Sequence, residues 1–502
     1  MKTTTRGPSR MPGIRYWTVF TVLITFAVGL AAQQSSELII RNGLVVTDTG
    51  RAERDVRIRN GIIAEVGPNL PAPAGTKTID ARGMLVIPGG VDPHTHLLEA
   101  PDRKGDDDYT SASRAALAGG ITTIGNFIHQ VAGEDLTTTL DNATAVVRRQ
   151  AIADVILHVR AHTLGSVKAP LPAAADLRML AERGYSLKVY LIRPEFDQNA
   201  ADYLRLLFRA GTAGLLTMIH CEDNAINTVM RERLIAEGHT AITYVNESQP
   251  DLSEEVAVQR AVSMSEVTGA PIYIVHLSSE RALRAAEAGM ARGLPVYVET
   301  RILYLHLTKE RFAESDGGIY TGNPPVKEQR DQDALWAGIA KGTVHVVDTD
   351  HIGFTREEKL NPPPTIRNVK PAGNYLQENL PLLYSQGVRK GRITLEQFVA
   401  VTATNPAKLF GLYPRKGTIA VGSDGDVVIW DPTLNHTIRD GEQLNNGNFS
   451  VFAGWEVTGW PVMTIRRGEV VYQNGKVIGL PGSGQLAPRQ RWQKLTATGA
   501  VR

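Results

Sequence analysis

Eight short apolar runs, "GMLVIPGGVD", "GITTIGNFI", "DVILHVRA", "SLKVYLI", "LLTMIHC", "PIYIVHLSS", "PVYVETRIL" and "TVHVVDTDH", recur through the middle of the chain, most of them separated by amphipathic helical segments such as "DLTTTLDNATAVVRRQ" and "SEEVAVQRAVSMSEVTG". Strands that alternate with helices pair in parallel, and eight of them predict an α/β fold, a (β/α)₈ TIM barrel over residues 85–411. An open doubly wound sheet is the competing arrangement, but no G-x-G-x-x-G follows a strand to support it. The ends read differently. "ELIIRNGLVVTD" and "DVRIRNGIIAEVG" near the start, and "GDVVIWDP" and "GEVVYQNGKVIG" near the finish, are short alternating segments with turn signals. They predict one small β-sandwich domain built from both chain ends, 35–84 and 412–480, followed by a polar tail at 481–502.

The charge balance excludes some classes of partner. With 54 Lys and Arg against 52 Asp and Glu, nothing suggests nucleic acid, and the expected partner is a small molecule. Four basic residues, Lys2, Arg6, Arg10 and Arg15, precede the uncharged run "WTVFTVLITFAVGLAA". That layout predicts a secretory signal peptide or membrane anchor over 1–34, hence a secreted or periplasmic protein with no stable membrane contact beyond that segment. Cys221 is the only cysteine, so neither an intrachain disulfide nor a thiolate cluster can form.

In a barrel of this kind the active site lies at the C-terminal ends of the strands. His94 and His96 end the first strand, Lys188 lies in the fourth, and His220, His276 and Asp350 end the fifth, sixth and eighth. Core packing does not require six such residues at one rim. Residues i and i+2 of a strand share a face, so His94 and His96 can grip one metal ion, and a donor set of nitrogen and oxygen suits zinc or another divalent ion. Lys188 sits inside an apolar run, where lysine is rarely buried unpaired. A neutral amine there can react with carbon dioxide to give a metal-bridging carbamate. Pairing with a carboxylate such as Asp350, or snorkelling to the rim, accounts for it equally well.

Beyond these residues, "GGVDPHTHL", "LKVY", "IHCEDNAI", "IVHLSSERAL", "TGNPPVKEQRDQDALW", "NPAKLFGLYPRKGTIAVGSDGDVVIWDP" and "GWEVTGWPV" occur in order from about residue 37 to 480. The chain so resembles the cyclic amidohydrolases, within them the dihydropyrimidinase and hydantoinase family. The resemblance implies two zinc ions bridged by N6-carboxylated Lys188, with His94, His96 and Asp350 on one ion and His220 and His276 on the other. It implies opening of cyclic amides by metal-assisted hydrolysis, Asp350 serving as general base and then acid, in a homotetramer or homodimer.

Two departures bear on substrate. Arg193 stands where the family has its oxyanion-stabilising tyrosine; it is a candidate catalytic and substrate-binding residue, or else an exposed loop arginine with Tyr190 in that role. Asn323 replaces the serine of the family's substrate loop, and Asn368 and Asn374 compete for its substrate-contacting asparagine. Allantoinase-, dihydroorotase- or acyl-amino-acid-type activity on an acidic substrate is the alternative, and a non-catalytic scaffold the rival from another class. His129 and His162 are expected near the rim, His158 in the core, His351 behind Asp350, and Asp92 in support of the first-strand loop.

Overall fold

The computed structural model describes residues 37–100, 102–130, 134–161 and 173–495. The predicted signal segment, His162 and the last seven residues lie outside them. No helix among the described residues is long and apolar enough to cross a membrane.

The described residues begin with strands β1 (Glu37–Thr47), β2 (Gly50–Arg59), β3 (Ile62–Gly67), β4 (Lys77–Asp80) and β5 (Leu85–Pro88). The barrel strands follow: β6 (Gly90–His96), β7 (Ile121–Ile128), β8 (Asp154–Arg160), β9 (Ser186–Tyr190), β10 (Thr217–His220), β11 (Ile272–Ile274), β12 (Val296–Arg301), β13 (Val346–Asp348) and β14 (His351–Ile352). The last strands are β15 (Val427–Thr437), β16 (Glu456–Arg466), β17 (Glu469–Gln473) and β18 (Lys476–Val477).

Strands from both chain ends form one sheet in the order β18-β17-β16-β15-β5-β1-β2-β3, with β4 also on β1. Ile40, Val56, Ile58 and Val86 from one end pack with Val427, Ile429 and Ile465 from the other. The sheet is mixed, because β4 and β5 run parallel to β1. The run "GMLVIPGGVD" is therefore two strands: β5 pairs with β15 in this sheet and β6 opens the barrel. Gly89 allows the break, since a Cβ there would meet the Thr122 side chain at 2.2 Å.

The barrel strands pair in sequence from β6 to β13, and β14 returns to β6. The eighth strand thus closes the ring in two pieces, β13 on β12 and β14 on β6, with Asp350 at the switch between them. Alternation explains which side chains face inward. Leu187 and Val189 of β9 join the outer core shared with the helices. Lys188 between them points to the axis, as do Ile156 of β8, Met218 of β10 and Tyr297 of β12, which fill the lower interior.

Residues 481–495 are not a free tail. Ala487 and Leu495 pack into the interior cluster beside Phe410, and Leu486 bridges Val155 of β8. Arg489 donates to the carbonyls of Phe410 and Leu157 and to the Ser186 hydroxyl. A polar composition conceals this role because the segment uses backbone and guanidinium donors to seal strand ends that lack partners.

Candidate metal centre

The β6–β7 register breaks between Asp92 and Thr95, which sets His94 and His96 side by side with ring centroids 5.3 Å apart. Gly125 of β7 makes room for the break: a Cβ there would lie 2.3 Å from the Pro93 carbonyl oxygen. His276 needs a different device. Tyr273 and Val275 both pack inside the barrel, so plain alternation would turn His276 outward, but its φ of +39° breaks the pattern. Asp350 has φ +46°. Such backbone is unfavourable for residues with a Cβ and concentrates at functional sites.

These distortions bring six side chains together. Asp350 Oδ1 lies 3.1 Å from Nε2 of both His94 and His96, and the ligand atoms of the three residues all lie within 4.8 Å of one another. The His276 ring is 5.6 Å from that of His94 and 4.5 Å from that of His220. Lys188 Nζ, fully buried, is 3.5 Å from His94 Nε2.

Three carboxylates orient the imidazoles. Glu299 Oε1 lies 2.8 Å from His94 Nδ1, Glu99 Oε1 3.2 Å from His96 Nδ1, and Glu222 Oε2 2.7 Å from His220 Nε2. These three rings each set one nitrogen against a carboxylate, the arrangement by which histidine ligands are usually held on a metal, while for His276 it is the backbone N–H that donates to Glu299. Burial holds His94 and His276 well below the ordinary histidine value, which keeps those two rings neutral. Burial also pushes the Lys188 ammonium down to about 8. For Asp350 burial acts upward, but the Arg301 guanidinium and His96 outweigh it and hold the carboxyl below its ordinary value. Neutral imidazoles, one carboxylate and an amine inclined to neutrality fit divalent cations.

Residues 85–471 match the family described as the amidohydrolase family. The chain belongs to that family. A D-hydantoinase of Rhizobium radiobacter is 34% identical over 465 residues, covering 91% of this chain and all of the relative. A D-phenylhydantoinase of Escherichia coli O9:H4 (strain HS) is 36% identical over 461 residues, covering 90% and 98%. The crystal structure of dihydropyrimidinase from Brevibacillus agri NCHU1002 superposes with a TM-score of 0.83 at 32% identity, over 91% of this chain and 99% of that one.

In this amidohydrolase the other sequence candidates are placed unevenly. Arg193 is exposed just before the helix Pro194–Gln198, its guanidinium carbon 6.0 Å from the Tyr190 ring. It sits on the surface, because the chain turns outward once β9 ends. Tyr190 lies closer in, with its ring 5.7 Å from that of His220. Asn323 is half-buried and precedes a cis proline. The Asn374 amide is spent on Phe354 and the Phe449 carbonyl, and that of Asn368 on Thr365 and the Pro363 carbonyl, so both side chains hold loops together. His351 is engaged by Asp107 and the Tyr375 backbone N–H. His158 packs between Phe127 and Phe410. His129 joins Glu99 and Arg160 near His96. Asp92 accepts from the His94 N–H. Cys221 is buried, which pushes its thiol up and leaves it no nucleophilic part.

Sequence reasoning missed Glu99, Glu222, Glu299 and Arg301. Alternation could have found two of them, since Glu299 and Arg301 follow the inward Tyr297 by two and four residues.

Proposed function

We propose that this amidohydrolase opens cyclic amides of the hydantoin or dihydropyrimidine type, as the names of its relatives describe for them, releasing an N-carbamoyl amino acid or a similar ureido acid. The observation that carries this reading is the cluster of four histidines, three of them steadied from behind by a carboxylate, around a fully buried lysine and Asp350. His94, His96 and Asp350 would hold one divalent ion and His220 and His276 a second, zinc being the natural choice for this donor set. Lys188 would join them as N6-carboxylysine. Its neutral amine forms an N–C bond to carbon dioxide and releases one proton, so that a neutral group becomes an anion that offers two oxygens.

Two divalent ions bound there supply Lewis-acid polarisation of the amide carbonyl and acidify a water. The chain's own residues do the rest. Glu299, Glu99 and Glu222 fix the imidazoles so that the site is organised before substrate arrives. Asp350, held anionic by Arg301 and His96, takes the proton of the attacking water and hands it to the departing ring nitrogen. The surrounding apolar wall excludes bulk water.

The N-terminal segment supports export, and the family resemblance supports assembly as a homotetramer or homodimer. Sequencing the N-terminus of protein recovered from outside the cytoplasm tests the first, and light scattering the second. The activity is tested by loading purified protein with zinc or manganese in bicarbonate and assaying dihydrouracil and 5-substituted hydantoins. Ring opening with about two metal ions per chain is expected. No bound metal and no turnover on any of them would leave the scaffold reading standing.

A further inference from the structure

Arg301, the last residue of β12, is fully buried, yet two of its nitrogens are idle. Nη1 lies 3.2 Å from Asp350 Oδ2 and 3.3 Å from the Tyr304 hydroxyl. Nε and Nη2 have no hydrogen-bond partner among the described residues, and neither does the buried hydroxyl of neighbouring Tyr375. A desolvated guanidinium edge without an acceptor is costly, and nearly all buried polar groups find a partner. All three groups can donate. Although the Tyr375 hydroxyl oxygen faces the guanidinium, no carboxylate among the described residues meets the Nε/Nη2 edge, the fork that receives both oxygens of one carboxylate.

The surroundings say where such a carboxylate would belong. Tyr304, bonded to the same guanidinium, donates to the Pro324 carbonyl, and a Cβ on Gly322 would lie 3.1 Å from Nη1. Arg301 therefore connects Asp350 to the "TGNPP" loop, the segment that resemblance assigns to substrate. The guanidinium is closed to solvent, while Asp350 and His96 keep 7% and 11% of their side chains exposed. An anion meets Arg301 only as part of a molecule seated against Asp350 and that loop.

We propose that the Nε/Nη2 edge of Arg301, with the Tyr375 hydroxyl, binds a substrate carboxylate, so that the preferred substrates are cyclic amides bearing an acidic substituent on the ring. This rests on the cyclic-amide reading and narrows it. It also moves the anion-reading role from exposed Arg193 to a buried residue.

The test compares substrates differing in that one group, on metal-loaded full-length protein: hydantoin-5-acetate and dihydroorotate against 5-methylhydantoin and dihydrouracil. At least a tenfold higher kcat/KM for the acidic members is expected. Equal or better turnover of the neutral ones would overturn the proposal, an ordered water then sufficing for Arg301, and would leave the cyclic-amide reading intact. Calorimetric binding of N-carbamoylaspartate against N-carbamoylalanine gives a readout independent of turnover. The dicarboxylate should bind at least tenfold tighter to the wild type, and the preference should vanish in Arg301→Met and partly survive in Arg301→Lys. A preference kept in Arg301→Met, or lost in Arg193→Ala instead, would overturn the assignment to Arg301. Selective binding with no hydrolysis of any ring would sink the cyclic-amide reading and spare the anion site.

Discussion

Lys188 and Glu299 show how much a single side chain decides at this centre. The proposed carbamate on Lys188 would add a second anion, beside Asp350, between the histidines. Lys188→Ala is expected to lose at least one metal ion per chain and essentially all turnover, and retention of both ions on elemental analysis would refute the carbamate bridge. Glu299 acts one atom further back, through His94 Nδ1. Glu299→Gln keeps the size but weakens the acceptor, and should lower metal affinity by roughly 10- to 100-fold, as chelator competition would show. These residues were unequally visible in the sequence. The histidines stand out because four of them end three barrel strands at one rim, an H-x-H alone being a weak signal, and Lys188 because a charge interrupts an apolar run. Of the glutamates only Glu299 shows by alternation, and its partner is known only once the fold brings it to His94 across the barrel. Arg193 misled for the opposite reason: its interest lay in what it replaces, and the chain turns it to the surface.

Elements legible by period were legible throughout. The eight barrel strands and helices such as Leu136–Gln150 follow apolar spacing and turn chemistry, which are local. What sequence could not resolve is where a continuous apolar run changes sheet, as at Gly89, or where a polar stretch is held by backbone donors, as at residues 485–490, because both depend on distant partners. The segment after β14 illustrates such a dependence. Glu378, at the start of the helix Asn379–Leu383, is buried and accepts from Gln443 and the Ser450 hydroxyl beyond β15. Burial raises its carboxyl to about 8 from an ordinary 4.5. The folded chain therefore keeps this proton where the unfolded chain has released it, so stability falls as pH rises through that window and the penalty is full above about 8. Glu378→Gln should raise the melting midpoint at pH 8 and barely move it at pH 5; an equal shift at both would contradict this.

At the scale of the molecule, barrel and terminal sheet are joined by a buried charge cluster. Lys416 Nζ lies 2.7 Å from Asp154 of β8 and 2.6 Å from Asp426, with Asp424 at 3.3 Å. Burial works against this ammonium, but the three carboxylates outweigh it and hold its pKa above the ordinary value. Lys416→Met takes the cation from Asp426 and leaves Asp154 and Asp424 only Arg467 and Arg415, and should cost about 3 kcal/mol in urea unfolding. A loss below about 1 kcal/mol would mean that the joint is not rigid. The terminal sheet has one further consequence, in the order of synthesis. Strand β5 cannot meet β15 until residues from Val427 onward have left the ribosome, and the barrel floor waits longer still, for Ala487 and Leu495. The N-terminal strands therefore emerge first and stay unpaired on their β15 edge while the whole barrel is made. A nascent chain in that state carries an open strand edge through most of its synthesis, and it completes itself only when its two ends meet.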